Sequence, residues 1–274
     1  MAVKTPTSPP TAHKRSFSFN SQRGHVLTLE QVNEVSSLSR AINTLAQSES
    51  DEGVAVLIRK NRNLDRSLPS RLFKRVNAPF YFCLLLRPKI QPQKAMSLTA
   101  LATVALCRVL RRFSGKQITI GWPNKIYSDG ELLGFVWLKG VLHKTDGTYD
   151  SIVIAVAAAL SESMESDRLT KTLARVFTGS FSGFRDRVAQ ALLAEIYSLY
   201  EKMEKDRAFM NDYRALCCDR EAFVQLRSPR RRGLVRDIDS EGRLVIDLIG
   251  GGSTVLFSAE NIKKILYKKK IKNS

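Results

Sequence analysis

The chain has 274 residues, 43% of them hydrophobic, which is enough for a buried core in one large domain or two modest ones without disulfide or metal support. Its 44 lysines and arginines exceed its 26 aspartates and glutamates by 18, which excludes an acidic disordered chain and makes a polyanionic partner worth testing. The sequence contains no run of about 18 apolar residues and no apolar core near its start, so we expect no membrane span, no signal peptide and a cytoplasmic protein.

The first half of the chain predicts a mobile tail followed by alternating helices and strands. Residues 1–24 contain prolines and many serines and threonines, and burial of so few large apolar side chains cannot offset the entropy cost of ordering them. The apolar runs then predict, in chain order, an amphipathic helix at 29–48, a strand at 54–58, a basic loop at 59–75, a strand buried on both faces at 80–86 and a core helix at 97–113 ending at Gly115.

The second half of the chain predicts a hairpin and a long helix, followed after Cys218 by a change to short strands. Asp146-Gly147 is a hairpin signal between two apolar strands. Short strands with glycine-rich turns follow Cys218 and indicate a small β-barrel. The predicted elements are strands at 117–120, 132–138 and 152–156, an amphipathic helix after Gly183, barrel strands at 222–227, 233–238, 243–248 and 254–257, and a basic tail at 263–272.

The cysteines indicate neither disulfides nor a zinc site. Cys83 and Cys107 lie in apolar runs and are interpreted as buried thiols. Cys217 and Cys218 are adjacent and cannot easily close a normal disulfide. There is no C-x-x-C pattern, and the three histidines are far apart, so we predict no metal ligand.

The order of short motifs resembles one known family. Residues 122–130 read WPNKIYSDG and are similar to the K-W-P-N-D-x-x-x-x-G stretch of biotin–protein ligases. Residues 233–244 resemble the G-x-x-x-x-I-D-x-x-G-x-L stretch of that family's C-terminal barrel, and residues 258–262 resemble its closing S-G-E-V segment. The resemblance runs from about residue 27 to residue 265 and keeps the family's order of strands, loop and core helix.

This resemblance implies an α+β fold, with a mixed β-sheet and flanking helices of the biotin/lipoate ligase type followed by a small C-terminal SH3-like β-barrel. The implied divisions are a flexible basic tail at 1–24, a catalytic-type domain at 25–218, the barrel at 219–267 and a basic tail at 268–274.

The resemblance also implies a function, which is the ATP-dependent attachment of biotin to a carrier-domain lysine through biotinyl-AMP. An active protein of this kind would use biotin and ATP with magnesium. Its partner would be the biotin carrier domain of a carboxylase or decarboxylase. A homodimer, as in relatives, is left open by the sequence.

Several groups that the family uses for adenylation are absent from the matching positions. The family's G-R-G-R-x-G loop falls at 63–71, where no glycine remains and Asp65 brings a negative charge. The family's lysine falls at Leu132, or at Glu131 with a one-residue gap. The D-S-T-N segment falls at 35–38, where only hydroxyls remain. We therefore predict no catalytic residue, and the sequence does not decide whether the protein is an enzyme or a pseudoenzyme.

The residues that remain at the matching positions are candidates for binding substrate rather than for catalysis. Arginines of the altered loop could hold phosphate, and a lysine on the turn could reach the same cavity. Trp122 and Trp137 either line an apolar pocket or pack in the core. The candidate substrate-binding residues are Ser36, Ser37, Arg62, Arg66, Arg71, Trp122, Pro123, Asn124 and Lys125.

Two other functions remain as alternatives. The first is a non-catalytic homologue that binds a protein or nucleic-acid partner through its basic surface, with clusters at 228–232 and 263–272. The second is a lipoate-type ligase on the same catalytic fold, which the C-terminal barrel disfavours.

Overall fold

The computed structural model describes residues 15–21, 24–63, 80–160, 183–227 and 230–266. The larger of its two sheets has eight strands in the order β1-β2-β3-β4-β8-β7-β6-β5. These strands are β1 Arg15–Asn20, β2 Val26–Ser37, β3 Val54–Asn63, β4 Phe80–Leu86, β5 Ile118–Gly121, β6 Lys125–Ser128, β7 Glu131–Leu142 and β8 Tyr149–Ala158.

The sheet is mixed because one pair of strands is parallel. β2 pairs in parallel with β3, and every other neighbouring pair in this sheet is antiparallel. A parallel pair needs a crossover connection, and here helix α1 (Leu38–Ala46) provides it. The expected mixed sheet with flanking helices is therefore confirmed.

Helices cover both faces of this sheet unequally. α2 (Ala95–Ser114), α3 (Phe184–Lys202) and α4 (Phe209–Leu216) pack together with the sheet around the main apolar core. Of the helices in the described ranges, α1 packs on the opposite face, which we call the α1 face. Within the described ranges, no helix combines the length and hydropathy needed to cross a membrane.

The predicted core helix is confirmed in α2. It is apolar almost all round because it lies between the sheet and α3, so nearly every side is covered. It ends at Gly115, whose φ of 65° lets its N–H reach the carbonyl of Arg111.

The C-terminal sheet has five antiparallel strands in the order β12-β11-β10-β9-β13. Its inner face carries Val224, Val235 and Ile246, which join the main core. This second, all-antiparallel sheet agrees with the expected SH3-like barrel. Its strands are β9 Phe223–Leu226, β10 Arg232–Ile238, β11 Leu244–Leu248, β12 Ser253–Leu256 and β13 Ile262–Leu266.

The predicted helix at 29–48 is wrong over its first nine residues, because residues 29–37 belong to strand β2. Leu29, Val32 and Val35 recur at helical spacing, but pairing with β3 on one side and β1 on the other satisfies the backbone of this segment as a strand. The helix begins only at Leu38, where the Ser37 side chain accepts a hydrogen bond from the N–H of Arg40.

Three other segments assigned to loop or tail contain strands. β3 continues to Asn63, well into the predicted basic loop at 59–75, and the part of that loop from residue 64 lies outside the described residues. Residues 15–20, placed in the N-terminal tail, form β1, and residues 262–266 of the basic end form β13. Charged side chains are compatible with these positions because β1 and β13 lie at sheet edges.

The four cysteines are free thiols, and only Cys218 is exposed. Burial raises the pKa of Cys83, Cys107 and Cys217 to about 12, so almost no thiolate forms there near neutral pH. We expect a thiol-specific chromogenic disulfide to modify one cysteine quickly in the folded protein, and Cys218→Ser to remove that phase. A second fast equivalent would contradict this arrangement.

Candidate functional site

The α1 face carries a row of side chains that crosses five strands. Lys125 pairs with Phe135, Phe135 with Ala157, Ala157 with Tyr81, and Tyr81 with Ile58. Cross-strand partners share a face of the sheet, so these five side chains form one line, which we call the central row. The central row spans four strand spacings, or about 19 Å.

The middle of the central row is an apolar and aromatic floor. Phe135 and Ala157 are buried, and the half-buried ring of Trp137 lies beside Phe135 with 5.0 Å between ring centroids. Ala155 is the cross-strand partner of Trp137 and is also buried on this face. Phe135, Ala155 and Ala157 belong to one apolar cluster with residues of α1, so the helix covers them, and the ring of Trp137 is the more exposed part of this floor.

Polar groups adjoin this floor at the ends of β3 and β4. Burial raises the pKa of the Tyr81 hydroxyl, and the nearby Asn61 amide offsets this only in part. The amide nitrogen and oxygen of Asn61 are both buried, and neither forms a hydrogen bond of normal geometry with a described residue. A buried amide in this state costs free energy, so a ligand that pairs with it would be stabilised.

A cavity of about 430 Å³ opens on the α1 face beside helix α1. Ser36 and Ser37 line it, as do the side chain of Arg40 and an apolar wall that includes Val56. We call this cavity the α1 groove. Its other lining residues are Val35, Ala41, Thr44, Leu45 and Ser48.

The structure places Trp122 in the main core and not on the α1 face. Its side chain is 2% exposed. Its backbone N–H donates to Oδ2 of Asp219 at 2.6 Å, and its indole Nε1–H donates to the carbonyl of Gly242 at 2.8 Å. Because Asp219 lies shortly before β9 and Gly242 lies in the β10–β11 turn, Trp122 connects the eight-stranded sheet to the C-terminal sheet.

The next two residues of this turn also hold backbone. The carbonyl of Pro123, which follows a cis peptide bond, accepts a hydrogen bond from the Tyr213 hydroxyl at 2.6 Å. The side-chain amide of Asn124 donates to the carbonyl of Val136 at 2.5 Å, and the N–H of Val136 donates to the carbonyl of Asn124 at 2.9 Å. These contacts fix the start of β6 against β7.

Lys125 differs from its neighbours because it points toward the α1 face. Its cross-strand partner Phe135 belongs to the α1-face cluster, whereas the next residue, Ile126, belongs to the main core. Lys125 is half-buried, and among the described residues its ammonium forms neither an ion pair nor a side-chain hydrogen bond. The structure thus brings one cation to the end of the central row.

The arginines of the altered loop are only partly described. Arg62 is exposed and forms a two-point ion pair with Glu34, at 2.8 Å from its Nε and 2.9 Å from its Nη2. The hydrogen bond from Arg62 lowers the pKa of Glu34. Arg66 and Arg71 lie in 64–79, outside the described residues, so their place relative to Ser36 and Ser37 stays a prediction.

The position of the family's lysine carries no positive charge. Glu131 is exposed at the start of β7 and pairs with Ser128, while Leu132 is half-buried and pairs with Tyr127. The charged residues of the β6–β7 hairpin near this corner are Lys125, Glu131 and Asp129, whose carboxylate lies 3.7 Å from the ammonium of Lys116.

Sequence reasoning missed three residues of the α1 face. Asn61 was assigned to a loop, Tyr81 was read as part of a uniformly apolar strand, and Arg40 was placed within a longer helix. A polar residue near the end of a strand, as in Asn61, was a usable signal, but its position beside the Tyr81 hydroxyl required the structure.

No protein-family model matches the chain. Among curated proteins, it is 25% identical over 175 residues to the bifunctional ligase/repressor BirA of Bacillus spizizenii, covering 63% of this chain and 52% of that protein. It is 23% identical over 202 residues to the bifunctional ligase/repressor BirA of Salmonella typhimurium, covering 69% of this chain and 62% of that protein. The chain thus spans about half to six-tenths of the length of these relatives.

A solved structure shows the same fold. The biotin protein ligase from Aquifex aeolicus in complex with biotin and ATP matches with a TM-score of 0.61 and 18% identity, covering 85% of this chain and 96% of that one. The chain is similar in sequence to these ligase/repressor proteins and has the biotin/lipoate ligase fold.

Proposed function

We propose that this chain binds biotin on the α1 face but has lost the formation of biotinyl-AMP, and with it the transfer of biotin to a carrier-domain lysine. One observation supports this most directly. The α1 face keeps an apolar floor with polar groups at its edges, while the lysine position holds Glu131 or Leu132.

Biotin combines an apolar chain and ring edge with a hydrogen-bonding urea group at one end and a carboxylate at the other. The half-buried ring of Trp137, beside Phe135, offers a surface for the apolar part. The Asn61 amide and the hydroxyls of Ser36 and Ser37 can pair with the urea. This match in chemistry supports biotin as the ligand.

The carboxylate of such a ligand needs a cation at the far end of the floor. Lys125 lies there, at the end of the central row opposite Ile58. An ammonium donates up to three hydrogen bonds to carboxylate oxygens. Lys125 would therefore orient biotin along the row, with its urea toward β3.

Adenylation of biotin requires more positioned groups in a site than binding of biotin does. A carboxylate must attack a phosphate, and preorganised donors must surround both anions. Glu131 places a carboxylate at the corner where the family has a lysine, and the loop at 63–71 has no glycine to bring backbone N–H groups close to phosphate. One lysine cannot replace all of these groups.

ATP and magnesium belong to the activity that we propose is lost. The Aquifex aeolicus relative binds biotin and ATP. This supports ATP binding only for proteins that keep the family's groups for binding phosphate. The described residues include no group of three or more His, Cys, Asp or Glu side chains placed to hold a metal ion. We assign no residue of this chain to magnesium.

Two measurements on the purified full chain test the proposal. Isothermal titration calorimetry should show saturable biotin binding at one site. Biotin-dependent exchange of radiolabelled pyrophosphate into ATP should stay at the level of a no-protein control. Exchange well above that control, or transfer of biotin to a carrier domain, would show that adenylation persists. Absence of biotin binding would contradict the proposal that this chain binds biotin on the α1 face.

Tryptophan fluorescence provides an independent readout of where biotin binds. The chain has two tryptophans, and only Trp137 lies on the α1 face. We expect biotin to change the emission of the wild-type protein, and Trp137→Phe to remove most of that change while the calorimetric affinity falls by no more than about tenfold. A full signal in Trp137→Phe would place the ligand elsewhere.

A further inference from the structure

The barrel holds its acidic side chains in contacts that leave one end strongly basic. Most of its carboxylates have a cationic or N–H partner, and several of these partners lie on the first domain. The pairs are Asp219 with the N–H of Trp122 at 2.6 Å, Glu241 with Arg207 at 2.8 Å, Asp237 with Arg214 at 3.9 Å, Asp239 with Arg243 at 2.5 Å and Asp247 with Arg236 at 3.4 Å.

Within residues 223–266, six cations form no ion pair with any described residue, and all six are exposed. They gather around strand β9, because Arg232 of β10 and Lys264 of β13 both pair with Gln225 from opposite sides. The nearest carboxylate in the adjoining turn is that of Glu260. We call this set the barrel cation cluster; it comprises Arg227, Arg230, Arg231, Arg232, Lys263 and Lys264.

Exposed apolar side chains adjoin the barrel cation cluster on the same strands. Phe223 is 39% exposed and Leu266 is 42% exposed, and the two are cross-strand partners. Phe223 lies two residues before Gln225 on β9, so both point to the outer face of the sheet, away from Val224. A ring is thus available beside the cations.

We propose that the barrel cation cluster and Phe223 bind single-stranded nucleic acid. Four of the six cations are arginines, whose planar guanidinium groups match phosphate oxygens with two hydrogen bonds. A base can stack on Phe223 while the neighbouring phosphates contact the cations. This site lies on the barrel and is separate from the proposed biotin site on the α1 face.

Single strands fit this surface better than an acidic protein does. The surface offers one aromatic ring and one leucine among many cations, which is little apolar area for the core of a protein–protein interface. A flexible strand needs only a charged track and a stacking platform. Charge alone would favour any polyanion, so the stacking contribution must be measured separately.

The test uses fluorescence anisotropy of labelled poly(dT) and poly(U) of about 15 nucleotides, with the full chain between about 50 and 200 mM salt. If all six cations engage phosphates, log K should fall against log salt with a slope of about −4. Arg230→Ala/Arg231→Ala/Arg232→Ala should reduce that slope by about 2. Phe223→Ala should weaken binding by about fivefold to a hundredfold without changing the slope.

A matched triple variant, Lys139→Ala/Lys144→Ala/Lys205→Ala, removes the same charge from exposed positions away from the cluster. It should leave the affinity within about twofold of the wild type. Equal weakening by both triple variants would overturn the site. Binding of polyglutamate as tight as that of poly(dT), or no binding of either oligonucleotide, would overturn single-stranded nucleic acid as the ligand.

Discussion

Replacement of Trp122 by alanine should lower the free energy of unfolding by about 3–5 kcal/mol, the largest stability effect that we expect from a single substitution. The side chain is 2% exposed, and its removal leaves a cavity where the first domain meets the barrel. The substitution also leaves the Gly242 carbonyl without the indole donor that now lies 2.8 Å away. Urea unfolding, followed by circular dichroism, measures the loss.

Two variants separate packing from hydrogen bonding at this junction. Trp122→Phe keeps most of the apolar volume and loses the donor, so it should cost about 1–3 kcal/mol. Trp137→Ala removes the same kind of side chain from a half-buried position and should cost less than Trp122→Ala. Equal costs for Trp122→Ala and Trp137→Ala would contradict a structural role for Trp122. Loss of biotin affinity in a stably folded Trp122→Phe would place its ring in the ligand site.

The elements that the sequence predicted well are those whose burial pattern is unambiguous. The uninterrupted apolar run of β4 predicts a strand that is buried on both faces. The nearly uniform apolar surface of α2 predicts a helix that is covered on all sides. β2 was misread because its apolar residues recur every three positions. A period of three over a short segment does not separate a helix from a twisted strand, and the pairing with β3 decided the outcome.

The candidate site was harder to predict because a motif names residues but not the directions of their side chains. Trp122, Pro123 and Asn124 fit the family's turn, and in this structure they hold the barrel and strand β7. The adjacent Lys125 points toward the α1 face, which follows only from the register of β6 with β7. The rings beside Ala155 and Ala157 likewise follow only from the sheet order, which pairs these residues with Trp137 and Phe135.

Replacement of Lys125 by alanine should weaken biotin binding by about tenfold to a hundredfold, because a charge-assisted hydrogen bond to a carboxylate contributes about 1.5–3 kcal/mol. Lys125→Arg should keep most of the affinity, since it keeps the charge at the end of the central row. Stability should change little in both variants, because no described side chain pairs with this ammonium. Calorimetry gives the affinities, and urea unfolding checks that the variants remain folded.

The chemistry of the ligand provides the sharper control for Lys125. Biotin methyl ester lacks the negative charge, so wild type and Lys125→Ala should bind it with the same affinity, whereas they differ for biotin. Lys139→Ala removes an exposed lysine from β7 and should leave biotin binding unchanged. If Lys125→Ala weakened binding of the ester and the acid equally, Lys125 would act by shaping the floor beside Phe135 and not by pairing with the carboxylate. Such a result would leave biotin on the α1 face but would contradict the orientation that we infer for it, because that orientation rests on Lys125 pairing with the carboxylate.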